Sequence, residues 1–204
     1  MPQEPLLFIG IVALLTITPG ADMAMVARSV IGGGRRDAFA TTLGISTGCL
    51  VWAIASALGI AAVLAASQTA YDALRLVGAA YLVWLGAQSL YAAWHGAEPA
   101  PRAGPRRRSP FRQGLMTNLL NPKIAVFYST FLPQFIDPGD PALLVSMLLA
   151  GVHIALGVAW LSLYAWLLDR AVTAFKGSRV RRALDALTGT VLVGLGLRLA
   201  AERR

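Results

Sequence analysis

The chain has 204 residues, of which 56% are apolar and only 14% charged, and its mean hydropathy is +0.62. A soluble domain carries about 25% charged residues and could not hide apolar runs of span length from end to end, so an ordinary soluble fold is excluded and a bilayer is implied. The net charge of +8 would suggest nucleic acid as a partner of a soluble protein, but here the basic residues gather in short gaps between apolar runs, so membrane orientation accounts for them and no nucleic-acid partner is expected. Cys49 is the single cysteine, which excludes an internal disulfide, a Cys-x-x-Cys redox pair and a thiolate metal cluster.

Taken in chain order, the apolar runs predict six spans. The first runs from about Leu6 to Arg28, and Glu4 stands where a cleaved signal would need positive charge, so it reads as a retained span. It is interrupted at Thr18-Pro19-Gly20-Ala21-Asp22. Proline removes a backbone donor and clashes with the preceding turn, so the helix should break there, with Thr18 capping the half-helix that starts at Pro19. Gly32-Gly33-Gly34-Arg35-Arg36-Asp37 lacks the trailing Lys-Ser/Thr of a phosphate loop and reads as a flexible turn.

Span two covers Ala38 to about Ala66, with Gly44 and Gly48 leaving a smooth face for close helix contact and Cys49 packing as a small hydrophobe. Span three runs from about Leu74 to Trp94; Gln88 and Ser89 lie near its end and receive no role. Residues 95–112 are rich in proline and arginine and read as a cytoplasmic tether beside anionic lipid, in preference to an RNA or phosphoinositide site. Span four starts near Phe111, carries Asn118-Leu119-Leu120-Asn121-Pro122-Lys123 and ends at Pro133. Span five covers about Ala142 to Leu168 and includes His153, and span six covers about Ala183 to Ala201.

Orientation follows from lysine and arginine. The gaps 28–37, 95–112 and 169–182 are basic, whereas 67–73 and 133–141 hold no lysine or arginine. This alternation places the basic gaps in the cytoplasm and both termini outside, against the weaker signal of Arg203 and Arg204. Leu76 to Gly86 also matches Leu187 to Gly196 once one residue is dropped, and Pro19 answers Pro122. The expected fold is an all-α polytopic membrane protein of six transmembrane helices arranged as two inverted three-helix repeats, with helices one and four broken. Residues 1–94 form the first repeat, 95–112 the loop and 113–204 the second repeat.

A broken helix exposes backbone carbonyls and N–H groups to a cargo. The candidate binding residues are therefore Thr18, Pro19, Gly20 and Asp22 at one break, and Asn118, Asn121, Pro122 and Lys123 at the other. A lone charge in lipid is costly, so Asp22 and Lys123 should face a polar interior, each other or a cargo. A carboxylate and an ammonium on one cavity suit a zwitterion, with Lys123 meeting its carboxylate. The plainer alternative has Asp22 capping a helix and Lys123 snorkelling to the interface. His153 is a candidate proton carrier, with a histidine bonded to a backbone carbonyl as its alternative. No nucleophile and base at matched depth are visible and no metal-ligand spacing is present, so neither an enzyme nor a cofactor or resident metal is expected.

These motifs, together with Arg28, Gly32, Gly33 and Arg35, with Tyr81-Leu82 and Trp84-Leu85-Gly86, and with Phe131-Leu132-Pro133-Gln134-Phe135, give a chain that resembles the LysE/RhtB family of amino-acid exporters over nearly its whole length. Ala21 stands where that family usually has a second proline, which should alter cargo preference sooner than abolish transport. The resemblance implies export of amino acids or close derivatives across a bacterial inner membrane, driven by protons, and leaves a homodimer open. A heavy-metal cation exporter and a non-transporting membrane assembly subunit stand as alternatives.

Overall fold

The computed structural model describes residues 5–59, 66–95, 109–137, 139–174 and 178–201. The chain forms α1 (Pro5–Ile17), α2 (Ala21–Ala57), α3 (Gln68–His95), α4 (Pro110–Leu119) and α5 (Pro122–Val126). A π turn (Phe127–Phe131) and a 3-10 turn (Leu132–Phe135) lead on to α6 (Ala142–Ala174) and α7 (Ser178–Ala201).

Among the described residues, four helices are long and apolar enough to cross a membrane: Ala21–Ala57, Gln68–His95, Ala142–Thr173 and Arg182–Ala201. The structure thus corrects the expected six transmembrane helices in two inverted triads to an all-helical polytopic bundle with four such helices. The reason is that an apolar run registers composition across a break. α1 has 13 residues, which at 1.5 Å each reach roughly 20 Å against a hydrocarbon core of about 30 Å. The expected fourth span is likewise a series of short pieces, α4 with 10 residues and α5 with 5, followed by the π and 3-10 turns. Packing does not follow the triads either, since α3 lies along α7 while α2 lies along both α4 and α6. Most of the expected 95–112 loop and the end of the expected second span fall outside the described residues.

α2 is not straight. Gly34 has φ 75° and ψ −165°, a backbone region open essentially to glycine. Ser29 Oγ and Thr41 Oγ1, 12 positions apart, lie within 2.7 Å of each other, whereas a straight helix would separate them by roughly 18 Å. The helix therefore folds back at Gly34, and the expected flexible turn is a sharp corner between packed limbs. Val26 and Val30 before the corner share a core with Ala38 and Ile45 after it and with Leu161 and Ala165 of α6.

The contact between α2 and α4 depends on missing side chains. A Cβ on Gly44 would collide with the Phe111 carbonyl, one on Gly48 with Asn118, and one on Gly114 with the Thr41 carbonyl. Gly114→Val is expected to lower stability by at least about 1–3 kcal/mol, the usual cost of overpacking, because backbone would have to move. Thermal unfolding of the detergent-purified protein measures this, with Gly10→Ala as a control that should unfold like wild type, since nothing lies within 4 Å of that position.

A second core joins Phe8 and Val12 of α1, Trp52 and Ala53 of α2, Phe127, Tyr128 and Leu132 of the turns, and Val145 and Leu149 of α6. The segment before the first interruption is thereby packed on the segment after the second, with Phe8 5.1 Å from Phe135 ring to ring. This core holds the two interruptions side by side.

Candidate functional site

At the first interruption α1 stops at Ile17 and α2 begins at Ala21. Thr18 does not cap α2. Its hydroxyl donates back to the Leu14 carbonyl at 2.6 Å, one turn earlier, and extended Gly20 takes the cap position with no side-chain hydrogen bond. At the second interruption Asn121 does cap: its Oδ1 accepts from the Lys123 backbone N–H at 3.1 Å. Pro122 occupies the first helical position, where its missing N–H leaves nothing unsatisfied.

Each interruption completes the other. In an unbroken helix the Leu15 carbonyl would accept from residue 19, but that residue is proline and has no N–H. Lys123 Nζ takes that place, donating to Leu15 O and to Thr18 O, both at 3.1 Å. A Cβ on Gly20 would lie 3.3 Å from the same nitrogen, so glycine keeps room for the ammonium. In the other direction, Asn118 Nδ2 donates to Asp22 Oδ2 at 3.1 Å. Asn118 is fully buried and also contacts Cys49 Sγ at 3.6 Å.

Asp22 and Lys123 are therefore not fused into an ion pair but are held apart on one small buried cavity of about 40 Å³, which Thr18, Gly20, Cys49 and His153 also line. Asp22 Oδ1 and Asn121 Nδ2 are both buried with no partner at hydrogen-bond distance, although the Asn121 amide lies close enough to act on the Asp22 carboxylate. His153 shares a 3.1 Å hydrogen bond between its Nδ1 and the Tyr128 hydroxyl, so its partner is a side chain and not a backbone carbonyl. A second, open cleft of about 640 Å³ also borders the interruptions. Leu15, Thr18, Gly20 and Lys123 line both spaces, and Pro19, Asn121 and Pro122 line the cleft. The paired breaks thus border both the small cavity and the open cleft.

One polar cluster was missed by the sequence reading. Arg28 donates from Nη1 to Gln113 Oε1 at 3.0 Å and from Nη2 to Gln88 Oε1 at 2.9 Å, clasping α2, α4 and α3 together. It lies at the opposite end of the bundle from the cleft. Along α3 the cleft is lined by Tyr71 and Leu82 and the clasp uses Gln88. The available signal was a set of long polar side chains at the edges of three apolar runs, since such groups need partners in a membrane. Arg28→Met should loosen this end and raise the rate at which Cys49, buried in the wild type, reacts with a membrane-permeant maleimide. A rate equal to wild type would show that the clasp closes nothing.

Helices broken at prolines, meeting in the protein interior and carrying opposite charges at the meeting point, define a membrane transport protein. The LysE type translocator family matches residues 13–203, and the chain belongs to that family. It is accordingly a multi-pass inner-membrane translocator and not an enzyme. It is 30% identical to the membrane protein YrhP of Bacillus subtilis, covering 95% of this chain and 96% of that one. It is also 30% identical to the homoserine/homoserine lactone efflux protein of Salmonella typhimurium, over 93% and 92% of the two chains. With the threonine efflux protein of Escherichia coli it shares 27% identity over 96% and 95%. No solved structure matches the chain.

Proposed function

We propose that the protein exports amino acids or close derivatives across the cytoplasmic membrane in exchange for protons, and that cargo and proton meet at the paired breaks. The relatives named for homoserine, homoserine lactone and threonine efflux support the cargo class. The observation that carries the mechanism is the half-engaged Asp22 carboxylate, with Oδ2 fixed by Asn118 and Oδ1 buried and without a partner. Such an oxygen can accept a proton or the ammonium of a cargo, but not both, and that competition is sufficient to couple an exchange. Thr18, Pro19, Gly20, Asn121 and Pro122 supply the backbone surface around it, Asn118 orients it, and Lys123 holds the breaks together. His153, on the same cavity and bonded to Tyr128, is placed to pass the proton.

The basic gaps put the Arg28 end of the bundle in the cytoplasm and both termini in the periplasm. The cleft then opens outward, with the clasp closed behind it. Cysteine labelling should find positions in 95–112 and 169–182 reachable from the cytoplasmic side alone, and periplasmic labelling of either would reverse the orientation.

The function is tested by loading proteoliposomes with radiolabelled basic, small neutral and branched amino acids and imposing a pH gradient. Gradient-dependent flux of at least one of them above empty liposomes is expected. Flux equal to empty liposomes for all of them would sink the reading and favour a metal cargo or an assembly role. Among the described residues no three His, Cys, Asp or Glu side chains converge, so a metal cargo finds no ligand cluster there.

A further inference from the structure

We propose that Arg198, near the end of α7, binds the carboxylate of the cargo in the open cleft; this rests on the reading of the protein as an amino-acid exporter. Arg198 lines the cleft of about 640 Å³ together with Leu195 and Leu199, and Thr18 to Ala21 and Asn121 to Lys123 line the same cleft. Arg198 thus shares the cleft with the broken backbone and with apolar neighbours on its own helix. The other cation on that cleft, Lys123, already spends its ammonium on the Leu15 and Thr18 carbonyls, which leaves it poorly placed to receive an anion.

Four other arginines show what an engaged one looks like in this fold, whereas Arg35, Arg36 and Arg112, also without a hydrogen bond or ion pair among the described residues, do not line the cleft. Arg28 is clasped by two glutamines, Arg75 pairs with Asp72 at 3.2 Å, Arg170 lies 4.4 Å from the Trp166 ring, and Arg182 donates to the Ala93 and Trp94 carbonyls. Among the described residues Arg198 has neither a hydrogen bond nor an ion pair. A planar guanidinium presents two parallel N–H donors that match a carboxylate, a fit an ammonium cannot reproduce. A cargo so held lies beside the two breaks, whose residues line the same cleft. Arg198 therefore selects for a free α-carboxylate.

The same guanidinium could meet an oxyanion from a lipid phosphate instead, since it is exposed near a helix end. The two sources separate by how the cargo is varied. Counterflow would be measured in proteoliposomes for threonine, leucine and lysine, each beside its α-amide, with wild type, Arg198→Gln and Arg198→Lys, at two contents of anionic lipid. For whichever amino acid the wild type carries, it should favour the acid over the amide by about tenfold or more in half-saturation. Arg198→Gln should erase that preference, and Arg198→Lys should restore part of it and keep the test open if the glutamine variant fails to assemble. Equal losses for acid and amide, or a loss that follows lipid composition, would overturn the carboxylate role. So would an unchanged preference in both variants. Wild-type protein that carries none of the three amino acids would instead refute the export reading, and this inference would fall with it.

Discussion

Asp22→Asn is expected to cut gradient-driven efflux by roughly ten- to a hundredfold, the equivalent of losing one charge-assisted interaction, with no loss of protein from the membrane. The separation of activity from assembly follows from the geometry. Asn118 donates to Asp22 Oδ2 at 3.1 Å, and the amide oxygen of an asparagine can accept that same bond, so α2 and α4 remain tied. The other carboxylate oxygen has no partner to lose. What disappears is the charge and the capacity to take a proton at a site facing the buried cavity. Efflux from proteoliposomes, normalised to inserted protein, reads the effect directly. Efflux at the wild-type rate would leave transport standing and make the carboxylate structural.

Lys123→Met should behave differently, lowering stability and transport together and for all cargoes alike. Methionine fills much the same volume but leaves the Leu15 and Thr18 carbonyls without the ammonium that now serves both. The part-buried Leu15 carbonyl stripped of its donor costs up to about 1–3 kcal/mol and the exposed Thr18 carbonyl less, and the cost falls on the contact between the two breaks. The melting temperature of the purified protein should drop, and flux should fall equally for basic, neutral and branched amino acids. A loss confined to cargoes with a free carboxylate would return Lys123 to the recognition role its sequence position suggests.

The places where the chain breaks were legible because proline acts locally. Pro19 and Pro122 each remove a donor whatever surrounds them, and Asn121 caps the turn it precedes. Thr18 was less legible, since its hydroxyl has two carbonyl and N–H sets within reach and closes α1 in preference to opening α2. The number of spanning helices was not legible in apolar runs, because a run of suitable length does not reveal that 13 residues of it form a separate helix. Nor does a triple glycine disclose which member takes a positive φ, although Gly34 alone sends the two limbs of α2 back along each other. The Arg28 clasp was hidden by distance, its partners lying 60 and 85 positions away. Gln88 lies near the end of its span, where a polar side chain needs no partner to be explained. Arg198 is not legible either, as its significance lies in the cleft that α7 shares with the two breaks.

The central claim is that one carboxylate at the meeting of the two breaks exchanges a proton for cargo. The most direct measurement records both fluxes at once, radiolabelled cargo and a trapped pH dye, in proteoliposomes carrying wild type or Asp22→Asn. Wild type should move protons against cargo in a fixed ratio, and the variant should lose the proton movement even where slow exchange of cargo for cargo persists. Proton movement that survives in Asp22→Asn with its ratio to cargo unchanged would contradict the account, because the proton would then be carried elsewhere in the bundle.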